Sequence, residues 1–575
     1  MYIETVKNRN SPPCILLRES YREAGRVRKR TVSNLTHWPP HLVAAMRAAL
    51  QTGAGGTGVT PDFDIIRSRA HGHVAAALGT LRHLGLDHLL SSRPCRQRDL
   101  VLAMIVARIL EPGSKLAAAR GLNAATRSST LGELLDLQAA TADELYAAMD
   151  WLLKRQPRIE KALAKRHFAE GTLVLYDVSS TYFEGRKCNL AQRGYSRDGK
   201  GDKPQILFGL LCDAQGCPVA VEVFPGNVRD TKTFAAQVEK VRVRFGVERV
   251  VWVGDRGMIT DERITDDLRP AQNLDWITAL NAAQVRALVA SESLQLTLFD
   301  EQDLAEISDA AYPGERLIAC RNPLLTVERR QKREQLLAAT EAELDKIVAA
   351  TKREKWRLVG QEKIGLRVGR VLGRFKMAKH FRLTIADGCF EYERDTDKIA
   401  REAAVDGIYI IRTSVPADAL SAPDTVRTYK SLAQVERAFR SIKTMDLKVR
   451  PIFHRLDDRV RAHVFLCMLA YYVEWHMRKA LAPILFHDAD PPTTDDAGRS
   501  PVAPKRRSLE AERKARTQQT ADGQPVHSFP TLLRDLATIT RNTLQPNMAQ
   551  IPTLEKTTRP TELQQRALDL LGVRL

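Results

Sequence analysis

The sequence predicts an α/β fold, in which a sheet flanked by helices follows a helical unit. Between residues 171 and 280, apolar residues leave helical spacing and form three strand-like runs, then a helix, a strand, a helix and a strand. Two of these runs end in an aspartate, Asp177 and Asp255. A further strand-like run and the amphipathic segment Tyr429–Lys443 fall within residues 406–485. We therefore expect one α/β core built from both parts.

Length and charge limit the classes of function. A chain of 575 residues is too long for one ordinary core, so several structural units are expected. The net charge of +19 favours a polyanionic partner, with nucleic acid ahead of membrane. The longest apolar run, Val464–Trp475, is too short to span a bilayer, and the N-terminus has no apolar export signal. A cytoplasmic protein without a membrane partner is expected.

The eight cysteines give no sequence pattern of a metal site. They are scattered without a C-x-x-C pair, and no histidine or cysteine partners occur at zinc spacing. His454, His463 and His476 lie in or near an apolar helix, where a hydrogen-bonded core histidine is the better interpretation. Reduced core thiols are therefore expected.

The first 170 residues divide into two parts. Residues 1–60 form a basic segment with a predicted hairpin, which either contacts phosphates or is simply exposed. Gly53–Gly58 lacks the spacing of a nucleotide-binding loop and is interpreted as a flexible joint. Residues 61–170 predict an all-helical unit that could bind DNA, with Thr141 and Glu144 forming a capping box.

Residues 281–405 interrupt the α/β pattern. A long charged helix is expected over 328–357. The run Lys363–Arg382 then contains seven Lys or Arg residues and no Asp or Glu, which suits a nucleic acid backbone. A solvated basic loop or hairpin is the alternative. Lys376 and Lys379 in this run are candidate DNA contacts.

The C-terminal part carries no visible chemistry. Residues 486–525 are rich in Asp, Pro, Thr and Gly, then in Lys and Arg, and predict a disordered linker. Residues 526–575 predict a helical tail, with short helices over 530–542 and 561–571.

Tyr429–Lys443 is predicted to form a single helix. Tyr429, Leu432, Glu436 and Lys443 fall on one stripe at helical spacing, opposite an apolar stripe. Taken alone, such a charged face is most simply a solvated surface with ordinary ion pairs.

Three carboxylates in matching positions change that interpretation. A single aspartate after a strand is a turn former about as often as it is a ligand. Asp177, Asp255 and Glu436, however, all follow strand-like runs of one α/β pattern. Phosphoryl transfer with two metal ions needs acidic ligands that converge, and Mg²⁺ prefers oxygen ligands. The sequence therefore predicts a metal site formed by these three residues.

The order strand–Asp, strand–Asp, helix–Glu resembles that of the DDE transposases, which have an RNase H-like catalytic core. Tyr429, Glu436 and Lys443 resemble the insertion-sequence 4 signature Tyr-x2-Arg-x3-Glu-x6-Lys. The segments 176–185 (YDVSSTYFEG), 254–258 (GDRGM) and 461–467 (RAHVFLC) are more similar to the insertion-sequence 1634 family. The resemblance covers roughly residues 170–480.

This resemblance implies an RNase H-like mixed sheet flanked by helices, with 281–405 as an insertion domain before the last core strand. It implies that Asp177, Asp255 and Glu436 hold two Mg²⁺ ions, for which Mn²⁺ can substitute. Tyr429 and Lys443 would contact DNA phosphates. The implied activity is cleavage of the element's terminal inverted repeats and joining of the 3′-hydroxyl to target DNA, with a homodimer in the synaptic complex.

One position departs from the signature. Leu432 stands where the signature has arginine, and leucine cannot hold a phosphate. Arg437 or Arg440 could take that role, and Arg256 beside the second aspartate is a further candidate for DNA contact. Two other functions stay open: an RNase H-like nuclease or resolvase without strand transfer, and a non-catalytic DNA-binding derivative.

Two more acidic residues are weaker ligand candidates. Glu184 and Asp230 lie in the segments that follow the first and third strands. Each is interpreted first as a loop or cap residue.

Overall fold

The computed structural model describes residues 1–7, 12–23, 26–51, 63–271, 273–299, 302–488, 502, 507–546 and 552–575. The N-terminal segment forms an antiparallel three-stranded sheet, β1 (Tyr2–Val6), β2 (Cys14–Glu23) and β3 (Arg26–Asn34), followed by α1 (Pro40–Gln51). Leu17, Leu35, Trp38 and Val43 form its own small core. The predicted hairpin is thus part of a larger sheet, and the predicted joint Gly53–Gly58 lies outside the described residues.

The next unit is mainly helical but begins with a strand. Its elements are β4 (Phe63–Ala70), α2 (Gly72–His83), α3 (Leu86–Leu90), α4 (Arg96–Leu110), α5 (Lys115–Leu122), α6 (Leu131–Leu134), α7 (Ala142–Leu153) and α8 (Gln156–His167). The capping box of Thr141 and Glu144 is confirmed. The expectation of an all-helical unit is wrong at β4, because this strand pairs with a strand more than 400 residues later.

An eight-stranded mixed sheet forms the centre of the molecule. Its first elements are β5 (Thr172–Tyr182), β6 (Gln205–Cys212), β7 (Pro218–Pro225), α9 (Thr231–Glu239), β8 (Val250–Val253), α10 (Asp261–Arg263) and β9 (Leu274–Ala279). The strands β5, β6 and β7 form an antiparallel meander, whereas β8 lies parallel to both β5 and β9. Helices α9 and α10 each continue into a π-helical turn, Lys240–Phe245 and Ile264–Leu268. The predicted α/β order over 171–280 is confirmed.

The stretch 281–405 is only partly separate from this sheet. It contains α11 (Ala282–Ala290), β10 (Leu304–Ile307), β11 (Arg316–Arg321), α12 (Pro323–Thr351), α13 (Gln361–Phe375), β12 (Phe381–Ala386), β13 (Cys389–Arg394) and α14 (Thr396–Ala403). Strands β10 and β11 extend the central sheet, which has the order β10-β11-β14-β9-β8-β5-β6-β7. The later helices and the β12–β13 hairpin have their own core around Leu344, Ile364 and Phe390. The basic run Lys363–Arg382 is mostly helical, so the alternative prediction of a solvated basic loop or hairpin is wrong.

The sheet is completed by β14 (Ile408–Thr413), which pairs with β11 and β9. Three helices follow, α15 (Ala422–Lys430), α16 (Leu432–Arg440) and α17 (Asp457–Ala480). Helix α17 is buried along most of its length and packs against β7 and the helices α4 and α7. The N-terminal helical unit and the central sheet therefore share one hydrophobic core.

The last residues also differ from expectation. They form α18 (Leu509–Thr517), α19 (Phe529–Ala537), β15 (Thr540–Pro546), β16 (Leu554–Thr557) and α20 (Glu562–Leu570). Helix α18 lies within the predicted linker 486–525, so the expected disorder does not extend to it. Strands β15 and β16 form a sheet with β4, which corrects the prediction of a purely helical tail. None of the helices in the described part of the chain combines the length and apolar character that a bilayer span requires.

Candidate active site

The two predicted aspartates are positioned by neighbouring parallel strands, β5 and β8. Asp255 follows the end of β8, as expected, but Asp177 lies within β5, which continues to Tyr182, so the prediction that Asp177 ends its strand is wrong. The register of β5 and β8 pairs Leu175 with Val253, and each aspartate follows two residues later. Because adjacent strands are about 4.8 Å apart, this register places Asp177 beside Asp255. Each carboxylate accepts a local backbone hydrogen bond: Val178 N–H donates to Asp177 Oδ1 at 2.7 Å, and Gly257 N–H donates to Asp255 Oδ1 at 3.0 Å. Within the described residues, the second oxygen of each aspartate accepts no such local backbone hydrogen bond.

Glu436 is held over the same sheet by its helix. Val435 and Phe439 of α16 are buried, and the Phe439 ring meets Phe208 of β6 edge-on at 5.3 Å between centroids. Glu436 lies on the opposite, exposed face. The apolar stripe predicted from the sequence therefore fixes the helix, and the helix holds the carboxylate.

All three carboxylates line one cleft of about 300 Å³. The lining residues come from β5, from the turn after β8, from β14, from the start of α12 and from α15 and α16; they are Asp177, Asp255, Asn322, Leu325, Tyr409, Tyr429, Lys430, Leu432, Ala433 and Glu436. The structure thus brings together the three predicted ligands and the predicted phosphate contact Tyr429. Leu432 forms part of the wall, where the signature arginine would stand.

The electrostatics of the cleft show uncompensated negative charge. Burial, together with the charges of Asp255 and Glu436, raises the pKa of Asp177 to about 7, although the Val178 N–H and Arg197 act in the opposite direction. Burial and the charge of Asp255 likewise raise the pKa of Tyr429 to about 12, so its hydroxyl is protonated at neutral pH. Among the described residues, none of the three carboxylates forms an ion pair with a Lys, Arg or His side chain.

Two known domain families match this chain. The "Transposase DDE domain" matches residues 170–473, which is more than half of the 575 residues. The chain belongs to the DDE transposase family. The "IS1634 family transposase, N-terminal domain" matches residues 3–57, which confirms the predicted insertion-sequence 1634 type.

Two further comparisons add no argument about this transposase. No curated protein matches it. One solved structure that it resembles is the synaptic complex of piggyBac transposase with hairpin DNA, at 9% identity over 78% of this chain and 87% of that chain. The TM-score of 0.24 is too low to support a conclusion on fold or function.

The predicted single helix over Tyr429–Lys443 is wrong. In this transposase α15 ends at Lys430, α16 begins at Leu432, and a π-helical turn follows over Ser441–Met445. At the break, the side-chain hydroxyl of Ser431 donates to the backbone carbonyl of Thr428, three residues earlier, at 2.6 Å. This bond from the Ser431 side chain competes with the backbone hydrogen bonds that would continue the helix. Tyr429 and Glu436 therefore reach the cleft from two different helices.

Lys443 has a different environment from the one that the resemblance implies. Its side chain is buried, and its Nζ donates to Ser179 Oγ at 3.0 Å and pairs with Asp198 at 2.9 Å. Asp198 also pairs with Arg450. Burial lowers the pKa of Lys443, and its partner Asp198 opposes this shift. The lysine therefore ties the π-helical turn to strand β5, two residues beyond Asp177.

The other candidate cations fall into two groups. Arg256, Arg437 and Arg440 are exposed, and within the described residues they form no ion pair. Lys379 pairs with Glu402 of α14, and Lys376 follows α13 in a left-handed conformation with a φ of 55°. The structure therefore brings neither Lys376 nor Lys379 into the lining of the cleft.

The weaker acidic candidates are both engaged by cations. Asp230 pairs with Arg197, and Glu184 pairs with Lys203 at 2.5 Å. Burial raises the pKa of Asp230, and the charge of Asp255 adds to this. Neither residue lines the cleft.

Sequence reasoning missed several residues around the site. Asn322 caps α12 by accepting from the backbone N–H of Leu324 at 3.1 Å, and an asparagine before a proline is a helix-start signal that could have found it. Tyr409 lies within an apolar strand and gave no signal. Arg197, whose charge acts on Asp177, belongs to a Gly- and Lys-rich loop.

Proposed function

We propose that this protein is a DNA transposase that cleaves the ends of its insertion element and joins the 3′-hydroxyl to target DNA. Asp177, Asp255 and Glu436 would hold two Mg²⁺ ions for this reaction. The observation that carries the proposal is the cleft itself, where a carboxylate from within β5, one from just after β8 and one from α16 converge. Among the described residues none of them has a cationic partner.

The sheet topology supports an RNase H-like core. Three antiparallel strands, β5 to β7, are followed by two strands parallel to the first, which gives the order β7-β6-β5-β8-β9. Such an arrangement carries both aspartates at the same edge of the sheet. The stretch from α12 to α14 would be the insertion domain before the last core strand, β14.

The residues of the cleft suit a divalent ion. DDE transposases usually use divalent metal ions. The ligand set offers only carboxylate oxygens, which Mg²⁺ prefers. Burial raises the pKa of Asp177, and the neighbouring charges of Asp255 and Glu436 add to this shift, which a bound divalent cation would offset. When bound, such ions would supply electrostatic stabilisation of the attacking and leaving oxygens in phosphoryl transfer.

Other side chains of the chain would position the DNA. Tyr429 presents a protonated hydroxyl to the cleft and can donate to a phosphate oxygen. Arg256 lies close enough to Tyr429 for its charge to act on that hydroxyl, and Arg437 and Arg440 are exposed on α16, the helix that carries Glu436. In the described structure none of the three has an ion pair, so each could contact a phosphate. The net charge of +19 would attract both the element ends and the target DNA. Cleavage of two ends together calls for a homodimer.

The test uses a supercoiled donor plasmid that carries the DNA flanking the gene on both sides. We expect incubation with the protein and Mg²⁺ to give nicked donor and joined products. Asp177→Ala should abolish both, while a gel-shift assay shows that DNA binding persists. Size-exclusion chromatography of the protein–DNA complex checks for the homodimer.

Two outcomes would overturn the proposal in different ways. Nicking without joining, on a plasmid that contains both ends, would leave a nuclease or resolvase. Binding without any cleavage by the wild-type protein, in Mg²⁺ and in Mn²⁺, would leave a non-catalytic DNA-binding derivative.

A further inference from the structure

A second group of metal-type side chains lies at the turn between β6 and β7. In the described part of the chain, His167, Cys217 and His476 form the one group of three such residues whose ligand atoms all lie within 4.8 Å of one another. The sulfur of Cys217 lies 4.0 Å from His167 Nε2 and 3.9 Å from His476 Nε2. These residues come from the end of α8, from the turn before β7 and from the C-terminal part of α17.

The spacing is close to that of a bound ion. A tetrahedral Zn²⁺ with a sulfur ligand at about 2.3 Å and a nitrogen ligand at about 2.0 Å keeps these two atoms about 3.6 Å apart. The observed distances exceed this by only a few tenths of an ångström. Both are longer than a good hydrogen bond to sulfur, so a thiol–imidazole bond explains the cluster poorly.

Asp213 orients His167 in the way that metal-binding histidines are oriented. Its Oδ2 lies 3.0 Å from His167 Nδ1, so the ring donates from Nδ1 and keeps the lone pair of Nε2 on the side of Cys217. The other oxygen of Asp213 accepts from the backbone N–H of Cys217 at 2.9 Å. One carboxylate therefore positions two of the three candidate ligands.

The protonation states of the other two are compatible with a metal. Burial, with His167 and Lys479 nearby, lowers the pKa of His476 to about 4, which leaves a neutral imidazole. Burial raises the pKa of Cys217, so an ion would have to displace the thiol proton. The hydroxyl of Tyr472 lies 3.1 Å from His167 Nε2 and would have to give way to the ion or a bound water.

We propose that His167, Cys217 and His476 bind a Zn²⁺ ion through Nε2, Sγ and Nε2, with a water as the fourth ligand. The soft thiolate and the two imidazoles select zinc over the Mg²⁺ of the carboxylate cleft. The ion would join α8, the β6–β7 turn and α17 at one point. Lys479 of α17 already donates to Gln215 in the same turn at 2.8 Å.

The turn also supports the helix that carries Glu436. Gly216 has a φ of +81°, and a Cβ built on it would lie 2.5 Å from Cβ of Gln434. The backbone of the turn is therefore in direct contact with α16, two residues before Glu436. An ion that fixes the turn would fix the surface on which α16 rests.

The test measures metal in the intact protein, purified without a histidine tag. We expect about one Zn per chain by mass spectrometry of the metal content, as for a structural or three-ligand site. Cys217→Ser should lose this zinc. Cys212→Ser is the matched control, because Cys212 is equally buried five residues earlier but has no place in the cluster. Asp177→Ala should keep its zinc, which separates this site from the carboxylate cleft.

A second measurement needs no variant. Addition of Co²⁺ to the metal-stripped wild-type protein should give the thiolate-to-metal absorption band and the visible bands of a tetrahedral site. Wild-type protein that is folded by circular dichroism, contains no zinc and gives no cobalt band would overturn the proposal. Retention of zinc by folded Cys217→Ser would overturn it as well.

Discussion

Two sets of carboxylates around strand β5 have opposite surroundings. The cleft carboxylates, Asp177, Asp255 and Glu436, have no cationic partner in the described structure. The bracing carboxylates, Asp198, Asp230 and Glu184, each pair with a lysine or an arginine. A carboxylate that stabilises the fold has its charge neutralised by a cation of the same fold. A cluster of carboxylates without cationic partners is instead held in place by the packing of other residues. The presence or absence of a cationic partner therefore distinguishes the candidate site residues from the structural carboxylates around them, without use of the sequence signature.

The largest expected effect is the loss of a cleft carboxylate. Asp177→Asn and Glu436→Gln should each reduce strand cleavage by at least about 10³-fold, because each removes an oxygen ligand from the proposed metal site. Cleavage of labelled element-end DNA under single-turnover conditions measures this. The free energy of unfolding should not fall, since neither carboxylate takes part in an ion pair.

The bracing variant Asp230→Asn is the control for this prediction. It removes a carboxylate that lies in the same region but pairs with Arg197. Cleavage should change by much less than in the cleft variants. Equal losses in both sets would show that the comparison has no functional meaning.

Removal of the buried lysine that pairs with Asp198 should lower stability rather than cleavage. Lys443→Met removes the buried ammonium partner of Ser179 and one of the two cationic partners of Asp198, which keeps its ion pair with Arg450. We therefore expect the free energy of unfolding to fall by about 2 kcal/mol, the cost of losing buried hydrogen bonds to a charged group. Urea denaturation followed by circular dichroism measures it. The side chains of Lys443 and Asp198 are only 10% and 12% exposed.

The matched surface pair sharpens this prediction. Lys203 and Glu184 have side chains that are 35% and 28% exposed. Lys203→Met should therefore cost less than about 1 kcal/mol. If Lys443→Met left stability unchanged and mainly weakened DNA binding, Lys443 would be the phosphate contact that the resemblance implies.

The burial of Asp177, together with the repulsion from Asp255 and Glu436, should make stability depend on pH when EDTA keeps the cleft free of metal. The folded-state pKa of Asp177 is raised to about 7, above its ordinary value of 3.8. The folded protein therefore binds this proton more tightly than the unfolded chain. This contribution to stability is complete below pH 4, falls as the pH rises and is lost above pH 7.

The measurement compares the wild-type protein with Asp177→Asn across this range. The free energy of unfolding of the wild type should fall relative to the variant between about pH 4 and pH 7. Subtraction of the two curves removes groups that titrate in both proteins, such as Glu474, whose pKa burial also raises to about 7. Parallel curves would contradict a shifted Asp177.

The central sheet and the three cleft carboxylates could be predicted because their signals are local. Apolar runs indicate the strands, and the aspartates that follow these runs indicate the site, although β5 itself continues past Asp177 to Tyr182. The parallel pairing of β5 with β8 then follows from the α/β order. The break at Ser431 could not be predicted from the sequence. It involves a single hydroxyl that donates to the carbonyl of Thr428 at the end of α15, and it leaves the apolar spacing of α16 unchanged.

Long-range partners could not be predicted. Strand β4 exists because it pairs with β15 near the other end of the chain. The partners of Lys443 come from a strand and a loop about 250 residues earlier, so its burial leaves no trace in the signature. For the same reason His167, Cys217 and His476 show no metal-ligand spacing, since three separate elements bring them together.

The smallest expected effect concerns the exposed arginines beside the cleft. Arg440→Ala removes a guanidinium without an ion pair in the described structure, so stability should change by less than about 0.5 kcal/mol. If Arg440 contacts one phosphate, the affinity for element-end DNA should fall a few-fold, and the slope of log K against log salt should decrease by about 1. Lys379→Ala is the comparison, because Lys379 pairs with Glu402 away from the cleft. Fluorescence anisotropy at several salt concentrations measures both slopes. An unchanged slope for Arg440→Ala, or an equal decrease for Lys379→Ala, would show that the DNA path does not follow the side of the cleft formed by α16.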